Sequence, residues 1–219
     1  MVCDGSGGVR FFRESMVTDN RRSELRKKMR GLRRSLPRAE QSAAAQAITA
    51  RLSSQDLFRQ AIKIAAYLPF DGEVDTGSLI SMAIDAGKTV CVPVLVDRGK
   101  NMRFAVYKPG QRLLVNHYGI PEPAREDRRY VATDQLDLVL TPLVAFDHSL
   151  HRIGVGAGYY DRCFSFLRHR KNRIKPRLIG LAYDFQRVTE LEPREWDVSL
   201  SAVATETAFY TSSAAANQK

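Results

Sequence analysis

Apolar residues along this chain follow two rhythms. Short unbroken runs, bounded by proline, glycine or polar residues, recur at 62–68 (IKIAAYL), 88–95 (KTVCVPVL), 102–107 (MRFAVY), 137–141 (DLVLT) and 177–183 (RLIGLAY). Runs of this length predict strands, with 102–107 at an edge and SAVATETAFY as the last strand. Between them the period lengthens. Leu25, Met29, Leu32 and Leu36 fall on one helical face, with Thr18 or Asp19 available as the cap, and this predicts an amphipathic helix with a basic outer face. Pro37 ends that helix or starts the next, AEQSAAAQAITARL, which packs through Ala47, Ile48 and Leu52. DTGSLISMAIDAG and DRCFSFLRHR read as further helices, and YGIPEP, stiffened by two prolines, as a loop. Alternating strands and helices indicate the α/β class.

With 219 residues and no Pro/Gly/Ser-rich linker, the chain suits one domain, residues 18–210, between flexible ends at 1–17 and 211–219. No apolar run approaches the roughly 20 residues that span a bilayer. Residues 1–17 lack the apolar core of a secretory signal; Arg10, Arg13 and Ser15 fit a transit peptide, and Asp4 and Glu14 count against one. Cys3, Cys91 and Cys163 are odd in number and have no C-x-x-C spacing, which disfavours a disulfide framework or zinc site and fits a reducing cytoplasm.

The charge is uneven. Of a net +10, the segment 10–38 carries +8. A solvated helix face accounts for most of these arginines. The same charge suits nucleic acid or a membrane surface, but no groove-reading motif or interleaved aromatic residue accompanies it. A second cationic run, 168–177, suits the negative end of a helix or an anionic polyglutamate tail.

Candidate chemistry centres on residues 152–162, RIGVGAGYYDR. Gly154, Gly156 and Gly158 free a backbone whose N–H groups can converge on phosphate before a helix start. Arg152 adds a positive charge and Asp161 a carboxylate able to hold a metal. The spacing is neither a dinucleotide fingerprint nor a P-loop, and a plain tight loop is the competing reading. The loop lies shortly after the 137–141 strand, where ligands gather in open α/β sheets. Glu73, in the turn after another strand, suits a ring carrying paired N–H donors or is simply a solvated side chain. In the cluster Asp147, His148 and His151, the two histidines read as a solvent-exposed pair more readily than as metal ligands.

TPLVAFDHSLHRIGVGAGYYDR resembles the nucleotide loop of the 5-formyltetrahydrofolate cyclo-ligase family, and IAAYLPFDGEVDT, YGIPEP, IGLAYDFQ and WDVSLSAVATE resemble further family blocks in family order, over about residues 22–207. The resemblance implies a single-domain three-layer α/β sandwich with a mostly parallel or mixed central sheet, Rossmann-like and NagB/RpiA/CoA-transferase-like. It also implies ATP- and Mg2+-dependent conversion of 5-formyltetrahydrofolate, with or without a polyglutamate tail, to 5,10-methenyltetrahydrofolate by a cytoplasmic monomer or weak dimer that binds no nucleic acid or membrane. It assigns ATP to Arg22, Arg26, Arg152, Ile153, Gly154, Val155, Gly156, Ala157, Gly158, Tyr159 and Tyr160, and folate to Phe70, Glu73, Val155, Gly156, Ala157, Gly158 and Tyr159. Magnesium falls to Asp161 and Asp197, whose plain alternative is a turn residue, and the catalytic roles to Arg152, Tyr160 and Asp161. Tyr160 contacts either ligand or only packs. Arg22 replaces the usual lysine of a K-x-x-L-R pattern. Leu143 and Leu150 stand where the family has glycine, and Val155 and Ala157 also depart, which implies altered substrate contacts with phosphate binding kept. A kinase-like or phosphate-sugar enzyme would use the loop without Glu73, and an RNA-associated protein would use the basic helix without ATP.

Overall fold

The computed structural model describes residues 6–96, 101–169 and 175–211. Residues 1–5 of the expected extension, 212–219 of the expected tail and the middle of the 168–177 cationic run lie outside them. Eight strands form one twisted mixed sheet. Its parallel heart contains β1 (Lys63–Ala65), β2 (Thr89–Val96), β7 (Leu138–Pro142), β10 (Arg177–Leu181) and β11 (Ala202–Ala204). Antiparallel strands complete it: β12 (Phe209–Thr211) beside β11 at one side, and β3 (Asn101–Val106) then β6 (Tyr130–Val131) beyond β2 at the other. The order is β12-β11-β10-β7-β1-β2-β3-β6.

Both faces of the heart are covered, so its strands are apolar on both sides. Successive residues point to opposite faces, and the alternation separates two cores. Ile64, Leu138, Leu140, Ile179 and Ala202 face one helical layer, built from α2 (Arg38–Ser53), α3 (Asp56–Gln60) and α4 (Gly77–Asp85). Ala65, Val139, Leu178 and Val203 face the other, where Leu143, Phe146, Phe164 and Leu200 close the core beside α5 (Tyr159–Cys163). Gly180 permits this closeness, since a Cβ there would lie 2.6 Å from Leu143 Cδ2 and 2.8 Å from Leu200 Cδ1.

Several elements differ from the sequence expectation. The first helix, α1 (Ser6–Ser35), begins well before Thr18, because no proline interrupts residues 6–35. Over residues 19–35 its buried positions are Arg22, Met29 and Arg33, whereas Leu32 is 43% exposed and Leu36 follows the helix end. Arginines on this helix therefore face inward as well as outward. Segment 102–107 is an inner strand, since β6 pairs along its free side. YGIPEP supplies β5 (Pro121–Pro123), which pairs with β4 (Leu113–Val115) in a small hairpin. The final apolar stretch folds into β11 and β12 rather than one strand. DRCFSFLRHR yields only the end of α5 and a 3-10 turn over Ser165–His169, with the backbone leaving α geometry at Phe164 (φ −111°, ψ 16°).

The connections define a site. From β1 the chain crosses through α4 to β2 on one side, while β7, on β1's other side, leads on through β10 and β11. Where neighbouring parallel strands send their chains apart, a crevice opens at their carboxyl ends.

Candidate functional site

The crevice is a cavity of about 400 Å³. The segment after β1 contributes Tyr67, Leu68, Phe70 and Glu73; that after β7 contributes Pro142 and Leu143; α1 contributes Arg22, Arg26 and Arg30. The short β8 (Ala145–Phe146) and β9 (Arg152–Ile153) pair as a ribbon that delivers the glycine loop, and residues 154 to 161 all border the cavity. Arg194, Trp196 and Asp197 close it from the segment before β11. Phosphate-directed and pterin-directed candidates thus share one cleft.

The glycines are needed for the loop's path. Gly156 has φ 110° and Gly158 φ 65°, conformations that side chains disfavour. Arg26 lies against Gly156, its guanidinium carbon 3.7 Å from where a Cβ would stand, and its Nε donates to the Gly154 carbonyl at 3.0 Å. Burial, then the neighbouring Arg22, hold the Arg26 pKa below its ordinary value. Arg22 donates through Nη2 to Asp197 Oδ2 at 3.0 Å, but its buried Nε and Nη1 have no hydrogen-bond partner among the described residues. Buried N–H groups rarely stay unpaired, and a charged guanidinium with two idle donors has the chemistry to meet an anion.

Arg152 is buried and donates to Asp161 Oδ1 at 2.7 Å and to the Val198 carbonyl. Asp161 Oδ1 also accepts from Val198 N at 3.1 Å, which brings Asp161 beside the Asp197 backbone. Each carboxylate is paired with one arginine through one oxygen, leaving Asp161 Oδ2 and Asp197 Oδ1 without a hydrogen bond among the described residues. No group of three or more His, Cys, Asp and Glu able to hold a metal occurs among the described residues. Ile153 is 2% exposed and packs inside β9, so only its main chain is near the loop.

At the other end Glu73 is nearly buried, its Oε2 accepting from Phe70 N at 3.2 Å. Burial pushes its carboxyl pKa up to about 7, against the charge of Arg33. Tyr160 stands near both Glu73 and Arg152, and burial, then the Glu73 charge, push its phenol far above the ordinary range. It is therefore a neutral hydroxyl at any working pH. Tyr159 donates to the Tyr118 hydroxyl at 3.3 Å, and burial with that bond raises its pKa to about 12.

The sequence reading missed the clamp under Glu73. Arg33, 1% exposed, donates through Nε to the Asp71 carbonyl at 2.8 Å and through Nη2 to Asp71 Oδ2 at 3.1 Å. Arg30 and Arg34 hold the same carboxylate. Burial works to raise the Asp71 pKa, yet these bonds hold it below the usual range. The signal was present: Arg22, Arg26, Arg30 and Arg33 repeat at helical spacing, a stripe hidden by attention to the leucines. Other candidates prove structural. Buried Asp147 accepts from the main-chain N–H groups of Ser149, His151 and Leu191 and from the His151 ring, shaping the loop. Glu122, which the sequence did not single out, borders the cavity but is buried and paired with Arg128.

An α/β sheet with an arginine-lined anion cradle and a desolvated carboxylate at its switch point is the site of a small-molecule enzyme. A model of the 5-formyltetrahydrofolate cyclo-ligase family matches residues 18–206, and the chain belongs to that family. It is 37% identical over 178 residues to the 5-formyltetrahydrofolate cyclo-ligase of Escherichia coli K12, covering 81% of this chain and 96% of that one. The Haemophilus influenzae protein of the same name is 35% identical over 84% of this chain and 97% of its own. The solution structure of Aquifex aeolicus 5,10-methenyltetrahydrofolate synthetase superimposes with a TM-score of 0.72 at 30% identity, covering 87% of this chain and 92% of that one. Among the described residues no helix is long and apolar enough to cross a membrane.

Proposed function

We propose that this cleft binds ATP and 5-formyltetrahydrofolate together and closes the formyl carbon onto the neighbouring nitrogen, giving 5,10-methenyltetrahydrofolate, ADP and phosphate. The observation that carries this reading is the convergence on one cavity of Glu73 with the glycine loop and the idle donors of Arg22. Family membership supports the substrate.

A formyl amide oxygen is a poor leaving group. Transfer of the γ-phosphoryl group to it forms an O–P bond, and the 10-nitrogen then adds to the activated carbon. Loss of phosphate and of the N–H proton leaves the cyclic amidinium. No protein nucleophile is needed, so the residues act by alignment and by charge, and positioning contributes about 7 to 11 kcal/mol in favourable cases.

Arg22, Arg26 and the N–H groups of the glycine loop hold the triphosphate, and Arg152 supports them. Glu73 accepts paired N–H donors of the pterin, with Phe70 and Tyr159 as apolar walls. The neutral Tyr160 hydroxyl stands between the two ends, beside Glu73 and Arg152. Magnesium fits the open oxygens of Asp161 and Asp197, because it prefers one or two carboxylates with phosphate oxygens and water. Bound there it would offset phosphate charge.

A kinase-like enzyme would leave the desolvated Glu73 unused. An RNA-binding reading loses the inward-turned Arg22, Arg26 and Arg33. The test is near-ultraviolet absorbance of the purified protein with 5-formyltetrahydrofolate, ATP and magnesium. A rise that requires ATP is expected; no rise, with the protein folded, overturns the reading.

A further inference from the structure

Glu73 presents a problem that its own contacts do not solve. Its site must be dry enough to make a carboxylate–N–H pair strong, and dryness favours the protonated acid, which has lost half its acceptor character. A cation in contact would restore the charge but would occupy the oxygen that the ligand needs. Arg33 stands between these extremes. Its Nη1 lies 3.9 Å from Glu73 Oε1, within Coulombic reach and beyond hydrogen-bond length, and donates to the Leu143 carbonyl at 3.3 Å. What keeps it back is Asp71, which takes Nη2 through its carboxylate and Nε through its carbonyl. The turn is built for this hold. Asp71 (φ 55°) and Gly72 (φ 73°) are both left-handed, and a Cβ on Gly72 would stand 3.1 Å from the Arg33 carbonyl oxygen. Glu73 Oε1 has no hydrogen bond among the described residues.

We infer that Arg33, restrained by Asp71, is a positioning residue for Glu73, supplying positive charge beside its carboxyl while leaving one oxygen open to a ligand N–H donor. The inference rests on the folate reading of the cleft. The groups facing Glu73 agree with it. Arg33 and Arg30 of α1 favour its ionised form; Asp71 on its own turn opposes it. Tyr67, Tyr160 and Tyr183, from the segments around β1, α5 and β10, stand near as neutral phenols. Arg33 is thus the buried counter-charge on which the anchor depends.

Two substitutions should move the same property in opposite directions. The readout is the dissociation constant of 5-formyltetrahydrofolate from acid to mildly alkaline pH without nucleotide, with binding of a non-hydrolysable ATP analogue as the control. In Arg33→Met the acid limb of folate binding should move up by about one pH unit, weakening binding about tenfold at pH values below the new limb. In Asp71→Asn the limb should move down, because a neighbouring negative charge is gone, yet binding on the plateau above the limb should weaken as the released guanidinium settles on Glu73. Arg33→Lys, which keeps the charge, should leave the limb near its wild-type position and serves if the methionine variant does not fold. ATP-analogue binding should stay within about twofold in all three, given that Arg22 and Arg26 are retained. Limbs of Arg33→Met and Asp71→Asn that do not move or that move together, a limb of Arg33→Lys that moves, or parallel losses of nucleotide binding, overturn the inference. A wild-type protein that binds no folate overturns the functional reading instead.

Discussion

The two ends of the cleft solve opposite electrostatic problems. At the glycine-loop end positive charge is in excess and partly idle: two buried Arg22 donors lack partners among the described residues, and Arg26 is crowded by Arg22. At the Asp71–Glu73 end the arginines are consumed, three of them by one aspartate, and the odd group is a carboxyl that burial pushes toward neutrality. The same helix α1 serves both ends with the same side chain. What differs is the partner: a main-chain carbonyl, one oxygen of Asp197 and open cavity at one end, and a carboxylate shared by three arginines at the other. An arginine's role is therefore set by what already satisfies it.

If the ends are this distinct, substitutions should separate them. The largest effect is expected from Asp161→Asn, which keeps an acceptor for Arg152 and Val198 N but loses a charge; turnover should fall about 100-fold or more with the melting temperature little changed. Steady-state kinetics with thermal melting checks this, and undiminished turnover would refute the carboxylate's metal role. Next comes Glu73→Gln, which should raise the folate KM about 10- to 100-fold and leave nucleotide binding alone, as expected for one charged hydrogen-bonding group. Arg22→Met should do the reverse, weakening ATP about tenfold with folate affinity unchanged when measured by titration.

Smaller effects concern the frame. Gly180→Ala should cost about 1 to 3 kcal/mol by overpacking against Leu143 and Leu200, lowering the melting temperature by about 2 to 4 °C per kcal/mol while shifting neither KM. The pH dependence of stability should also change in Glu73→Gln. In the wild type the folded Glu73 has its pKa raised from 4.5 to about 7, so between those values the folded state holds the extra proton. Stability therefore falls as pH rises through that window. Denaturation across it should show a flatter profile for the glutamine variant.

The parallel strands were legible in the sequence because each is a short apolar run, and the glycine loop because only glycine follows such a path. Resemblance located Asp197 and Phe70, which composition does not mark. The ribbon of β4 and β5 escaped, since YGIPEP looks too proline-rich to pair; its prolines stand at the ends of the strand, with Glu122 between them. Arg33 escaped for a different reason. Hydrophobic periodicity assumes that buried faces are apolar, and this helix buries arginine where a polar cleft replaces a core. Leu32, counted toward the apolar stripe, lies in solvent as a result.

The most direct test is to follow ADP release by the purified protein with ATP and magnesium, with and without 5-formyltetrahydrofolate, while recording methenyl absorbance. ADP release is expected only with the folate present, in step with the methenyl product, one for one. ADP released at the same rate without folate, or a methenyl signal independent of ATP, would contradict a cleft in which both ends act on one reaction.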